Sequence, residues 1–182
     1  MHNQTKKILL VSLLVLVPLT HVAAQTCKTA SIPASSPTTQ FTDNKNGSVT
    51  NKKTGLTWKK CSEGQIWSRA NGKCAGTAAS YGWKAALNRA TVINRTGGFL
   101  GKTDWRLPNI KELASIVEEQ CYSPAINLAV FPATPAAWFW ASSPGVGVGG
   151  VYAWGVNFVS GGDDWAYKNE FAGQLRLVRT GL

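Results

Sequence analysis

The sequence predicts an α+β fold, two helices packed on a small twisted antiparallel sheet with long loops. Two stretches carry a helical period. Ile110, Leu113, Ala114, Val117 and Cys121 recur at the spacing of one helix face, with Lys111, Glu112, Ser115, Glu118 and Glu119 facing away. Trp83, Ala86, Leu87, Ala90 and Ile93 repeat the pattern between about Gly82 and Asn94, with Lys84, Asn88 and Arg89 on the other face. The third observation is a series of short β-branched and aromatic runs punctuated by Gly, Asn and Pro, which reads as an antiparallel sheet.

Residues 1–24 have the form of a secretory signal. Lys6 and Lys7 give a positive start, Ile8 to Leu19 is an apolar run too short for a comfortable membrane span, and Val22-Ala23-Ala24 offers a small-residue cleavage site. Cleavage there leaves 158 of the 182 residues, the size of one domain. It also removes Met1 and both histidines, His2 and His21. A chain without histidine has no Ser–His or Cys–His catalytic pair and no histidine metal ligand. No catalytic residue, cofactor or metal is therefore expected, and the chain is not expected to be an enzyme. It is expected to be exported, to the periplasm or outside the cell, with no membrane span once the signal is gone.

The four cysteines, Cys27, Cys61, Cys74 and Cys121, all remain. An even count in an exported chain predicts two disulfides, with three possible pairings. Cys61 with Cys74 is the natural local pair, closing a Gly-rich polar loop; Cys27 then pairs with Cys121. Residues 25–40 are rich in Ser, Thr, Ala and Pro and read as an extended leader. The domain proper spans 41–182.

Phe41-Thr42 opens that domain as a short strand. Asn46-Gly47 signals a hairpin turn, Ser48-Val49-Thr50 returns, Thr54-Gly55 turns again, and Leu56-Thr57-Trp58 is the third strand. The segment Asp43 to Gly47 lacks the ligand spacing of a calcium loop, because Lys45 stands where an oxygen is needed. After the first helix, Trp105-Arg106-Leu107-Pro108 reads as a strand end. Asn109 and Glu112 then have the spacing of a capping box that starts the second helix. Trp138 to Pro144 is a strand followed by a Gly-rich loop. Tyr152, Trp154, Val156 and Phe158 alternate with smaller residues, predicting a half-buried strand with one open face. Ser160 to Asp163 is a hairpin turn, Trp165 and Tyr167 lie on the returning strand, and Leu175 to Arg179 closes the sheet.

Charge is uneven. Gln25 to Lys111 carries 14 basic and 3 acidic residues, while Glu112 onward carries 3 basic and 6 acidic. Lys52, Lys53, Lys59 and Lys60 flank the third strand and are the candidate contacts for a polyanion such as a sulfated or acidic glycan or lipopolysaccharide. Export weighs against nucleic acid as the partner. Trp165 and Tyr167, next to Asp163 and Asp164, are the candidate sugar-stacking surface. Asp163, Asp164 and Glu170 also have the residue type for glycoside hydrolysis, but a hairpin turn is where solvated carboxylates ordinarily sit.

Several motifs together resemble a known family. They are Phe41-x-Asp43-Asn44, Gly47-x-Val49-Thr50, Thr54-Gly55-Leu56-x-Trp58, Asp104-Trp105-Arg106-Leu107-Pro108-Asn109-x-x-Glu112-Leu113, Pro124-Ala125-Ile126-Asn127, Phe131-Pro132, Trp140-x-Ser142-Ser143-Pro144 and Leu175-Arg176-Leu177-Val178-Arg179. Over Phe41 to Arg179 the chain resembles the Lcl C-terminal domain family, named for the terminal domain of a bacterial collagen-like adhesin. The resemblance implies a C-type lectin-like fold. In the adhesin this domain is linked to binding sulfated glycosaminoglycans. The function so implied is an exported, disulfide-stabilised binding module for a glycan or other cell-surface ligand. The competing expectation is a structural or accessory protein of an envelope or pilus assembly that recognises protein.

Overall fold

The computed structural model describes residues 24–180. The expected signal segment, residues 1–24, lies outside the described residues apart from Ala24.

The N-terminal stretch is fastened to the flank of the domain. Strand β1 (Thr26–Cys27) pairs with the far later β7 (Cys121–Tyr122), and the disulfide Cys27–Cys121 joins them. The Glu118 carboxylate accepts the backbone N–H groups of Ser35 and Ser36 at 2.9 and 3.0 Å. Gln25 donates its side-chain amide to the carbonyls of Pro124 and Ile126. Residues 25–40 thus have little regular structure but many fixed partners.

Strands β2 (Phe41–Asp43), β3 (Ser48–Asn51) and β4 (Leu56–Lys59) form an antiparallel sheet that the closing strand β11 (Val178–Thr180) completes on the β4 side. Gly47, at φ 93°, supplies the left-handed backbone the β2–β3 turn requires. The expected Cys61–Cys74 disulfide is present. It closes a hairpin rather than a bare loop: β5 (Ile66–Ser68) pairs with β6 (Lys73–Ala75) inside it.

Helix α1 (Trp83–Arg95) forms where the period predicts it and buries Ala86, Ala90 and Ile93. Its end is tied to the next stretch by Asn94, whose side chain both donates to the Trp105 carbonyl and accepts from the Trp105 N–H, at 2.7 and 3.1 Å. Helix α2 (Ile110–Ala114) carries the expected capping box: Asn109 accepts from the Glu112 N–H and Glu112 accepts from the Asn109 N–H.

The three-stranded sheet is β8 (Trp138–Pro144), β9 (Tyr152–Asn157) and β10 (Gly162–Tyr167), with β9 central. It stands between two apolar clusters. Phe139, Ala141 and Val156 join Trp58, Leu113, Ile116 and Phe131 on one side. Trp140 and Ala153 join Ala86, Trp105, Leu107 and Leu175 on the other. Along β9, Ala153, Gly155 and Val156 are buried, while Tyr152, Trp154 and Asn157 are half-buried, so the more open face lies at Tyr152 and Trp154.

The expected α+β, C-type lectin-like fold is corrected by this architecture. The described residues form eleven short strands in four small sheets with two helices, of which α2 has five residues. The helical period after Asn109 is real for one turn and a half and is then overridden. The Ser115 hydroxyl bonds the Glu112 carbonyl at 2.6 Å. Val117 pairs with Ile126, and Cys121 is drawn into β7 by its disulfide. Glu118, expected to face water, is 1% exposed because backbone N–H groups solvate its carboxylate. The single sheet divides because the run before β11 does not pair as a strand. The Leu175 and Leu177 carbonyls accept from Glu63 and Lys59, while Arg176 points inward. That run is a seam between two sheets.

Candidate binding groove

The outer face of the four-stranded sheet is polar by alternation. Val49 and Trp58 point into the core, so Ser48, Thr50 and Thr57 point the other way. These hydroxyls form a continuous network. Asn44 donates to Ser48 Oγ and Thr50 Oγ1 at 3.0 and 3.1 Å, Thr50 and Thr57 share a hydrogen bond of 3.0 Å, and Ser48 Oγ donates to Asn46 at 2.7 Å. Together with the edge of Trp105 they line an open groove of about 690 Å³. Two exposed cations stand along it, Lys52 from the β3–β4 turn and Lys102 from the loop after α1; Arg179 of β11, opposite Thr57 in register, also lines it but is buried and paired with Asp104.

Arg179 Nε donates to Asp104 at 2.7 Å, and this hydrogen bond holds the Asp104 carboxyl below its ordinary range against the opposing effect of burial. Lys102 adds to that attraction. Among the described residues, Lys52 and Lys53 have no carboxylate at ion-pair distance. Most of the groove's accessible lining is apolar; Ser48 and Thr57 are buried beneath it, and the polar groups it offers are those of the half-buried Asn44, Asn46 and Thr50 and of the exposed Lys52 and Lys102. That combination suits a hydroxyl-rich anion.

Of the four lysines expected to act together, Lys52 lines the groove and Lys53 is exposed at the same turn. The other two are structural. Lys59 is paired with Glu63, itself 2% exposed and also bound by Arg89 at 3.1 Å, and its ammonium lies 4.6 Å over the Phe99 ring. Lys60 is 4% exposed, pairs with Asp43 at 3.1 Å and lies 4.6 Å over Trp67. Burial pushes the Asp43 carboxyl up, but the Lys45 N–H and the Lys60 and Lys45 ammonium groups more than offset it and leave it lowered. Ammonium groups engaged in this way are not presented to a ligand.

The expected aromatic surface lies elsewhere, on β9 and β10. Trp165 and Tyr167 are 49% and 46% exposed. The Tyr152 ring packs against both, at centroid distances of 4.3 and 4.5 Å, and its hydroxyl donates to that of Tyr167 at 2.8 Å. That hydrogen bond raises the Tyr152 phenol above its ordinary value. Asp163 and Asp164 are exposed beside them, and Asp164 accepts the Trp165 N–H at 2.7 Å. A carboxylate there occupies an outward backbone donor of the edge strand, which discourages unplanned strand pairing.

Sequence reasoning missed Asn44, Asn46, Ser48, Thr50, Thr57 and Arg179 as groove residues and counted Lys102 only within the broad basic surface beyond the third strand. The Ser48–Thr50 and Thr57 alternation was the available signal; the arrival of Lys102 and Arg179 depends on chain crossings that no local pattern encodes. Among the described residues no cluster of His, Cys, Asp or Glu has the makings of a metal site. No helix there is long and apolar enough to cross a membrane. No curated protein and no solved structure matches the chain. The family model of the Lcl C-terminal domain matches residues 47–179, which takes in the groove apart from Asn44 and Asn46, the Cys61–Cys74 disulfide, Cys121 and the closing strand up to Arg179, and this disulfide-stabilised chain belongs to that family.

Proposed function

We propose that the protein is an exported, non-enzymatic binding module that holds an acidic glycan in the groove on the outer face of its four-stranded sheet. The observation that carries this reading is the line of amide and hydroxyl groups of Asn44, Asn46 and Thr50 with the exposed Lys52 and Lys102 along one cavity. Carboxylate or sulfate groups meet the cations, and sugar hydroxyls exchange hydrogen bonds with those amide and hydroxyl groups. Two disulfides are in keeping with export. The test is chromatography on immobilised heparin. Lys52→Glu with Lys102→Glu should elute at much lower salt than the parent, and unchanged elution would remove the groove from consideration.

A second reading, recognition of a protein within an envelope assembly, is favoured by the exposed Trp165 and Tyr167 pair on the opposite, more acidic part of the chain. Cross-linking through a photoreactive residue at 165 would capture such a partner.

A further inference from the structure

The β2–β3 turn and the loop after α1 both supply groove residues. The same two turns also border a smaller cavity of about 280 Å³ against the β5–β6 hairpin: Gly47 and Phe99, next in the chain to the groove residues Asn46 and Leu100, line it with Lys59, Ile66 and Trp67. Two aliphatic side chains stand in water at this margin: Ile66 is 74% exposed and Leu100 43%. Neither position is loose. The Cys61–Cys74 disulfide staples the hairpin that carries Ile66. The Phe99–Lys102 bridge closes the turn that carries Leu100, although Leu100 sits at φ 57°, a backbone region side chains disfavour.

The stretch of chain that supplies this margin is strongly basic. From Asn44 to Thr103 the chain has eleven lysines and arginines and one acid, Glu63, which is buried and paired. The flanking acids Asp43 and Asp104 are each engaged, by Lys60 and Arg179. A soluble acidic polysaccharide satisfies the cations and leaves Ile66 and Leu100 wet. An anionic lipid in a bilayer satisfies both: headgroups meet Lys52 and Lys102, and the aliphatic tips enter the boundary below them. We propose that this margin docks the protein on a membrane surface rich in anionic lipid. The inference rests on reading the groove as an anion site and adds to it the physical state in which the anion is met.

The experiment is flotation of the exported protein with vesicles of phosphatidylcholine alone, and with vesicles of equal parts phosphatidylcholine and phosphatidylglycerol, alongside heparin elution. Ile66→Ser with Leu100→Ser leaves the charge unchanged. The parent is expected to float with the anionic vesicles only. The serine variant is expected to lose at least about tenfold in vesicle affinity, since each buried methylene contributes roughly fourfold, while eluting from heparin at the parental salt. Thermal melting checks that the variant is folded. A parent that binds heparin but ignores anionic vesicles, or a folded serine variant that floats like the parent, overturns the proposal and leaves the groove reading standing. A parent that binds neither overturns both.

Discussion

Arg106 grips Glu112 through two parallel N–H···O bonds, Nη1 to Oε2 and Nη2 to Oε1, each 2.7 Å long. Oε2 also accepts the Asn109 N–H at 2.8 Å, so one carboxylate serves both an ion pair and a helix cap. The Arg106 hydrogen bonds hold Glu112 below its ordinary 4.5, against the opposing effect of partial burial. A lowered folded-state value means stability that is fully present above the unfolded value and lost as pH falls through the folded one. The acid limb of a stability-against-pH profile should therefore begin below about 4.5, and Glu112→Gln should lower the neutral plateau and flatten that limb. Superimposable urea midpoints for the two proteins from neutral pH into the acid range would contradict this role.

Arg176 is fully buried. Its guanidinium donates to the carbonyls of Lys59 and Lys60 and to the hydroxyls of Ser62 and Thr134, and it lies 4.8 Å from the centre of the Phe131 ring. Burial lowers it to about 9, with Glu63 opposing, so it is charged at neutral pH. Arg176→Ala should destabilise by roughly 3–5 kcal/mol, because buried acceptors lose their donors. Arg176→Lys should also destabilise measurably, since a point ammonium does not reproduce the fork. Denaturant midpoints provide the readout.

Lys60→Glu and Lys52→Glu carry the same charge change but should act on different properties. The first places a carboxylate, 4% exposed, against Asp43 and should lower the melting temperature sharply. The second should leave melting unchanged within about 0.5 kcal/mol, as surface substitutions do, and shift heparin elution. Equal effects on both readouts would mean the two lysines are not separated as described.

Gly155→Ala tests the contact between β9 and β8. A Cβ there would meet the Phe139 carbonyl oxygen at 2.4 Å and the Trp138 ring at 2.5 Å. Backbone does not yield as a flexible side chain does, so the substitution should cost about 1–3 kcal/mol. Calorimetric melting of the variant measures it.

Removing the two disulfides singly should have unequal effects. Their sequence separations are 94 for Cys27–Cys121 and 13 for Cys61–Cys74. In the loop-entropy account these correspond to about 4.7 and about 3 kcal/mol. Cys27→Ser with Cys121→Ser should therefore be the more destabilised variant. Intact-mass measurement after alkylation of the unreduced parent should find no reactive thiol.

What was legible in the sequence was local. The α1 period, the Asn109–Glu112 cap, the β2–β3–β4 turns and both cysteine pairs follow from neighbours a few residues apart or from parity. What was not legible depends on distant chain. Ile110 to Cys121 keeps a helical period, yet Ser115, Ile126 and Cys27 take its later residues away from the helix. Lys59 and Lys60 look like surface charge until Glu63 and Asp43 are seen beside them. Arg176, in a run that alternates like a strand, is buried because Ser62 and Thr134 wait for it. The groove itself joins residues from Asn44 to Arg179; the alternation under it was present in the sequence but did not mark those residues as a site, and its wall depends on distant chain.

Phe139 and Trp140 are adjacent in β8 yet belong to different apolar clusters, each with no exposure to solvent. The strand between them is a partition with load on both sides. Truncating Phe139 removes the backing against which Trp140 is pressed, and the reverse holds equally. Paired substitutions across the partition should be non-additive even though the two side chains never share a cavity. The domain should then melt in one calorimetric step, because neither half retains a wall once the other has lost its packing.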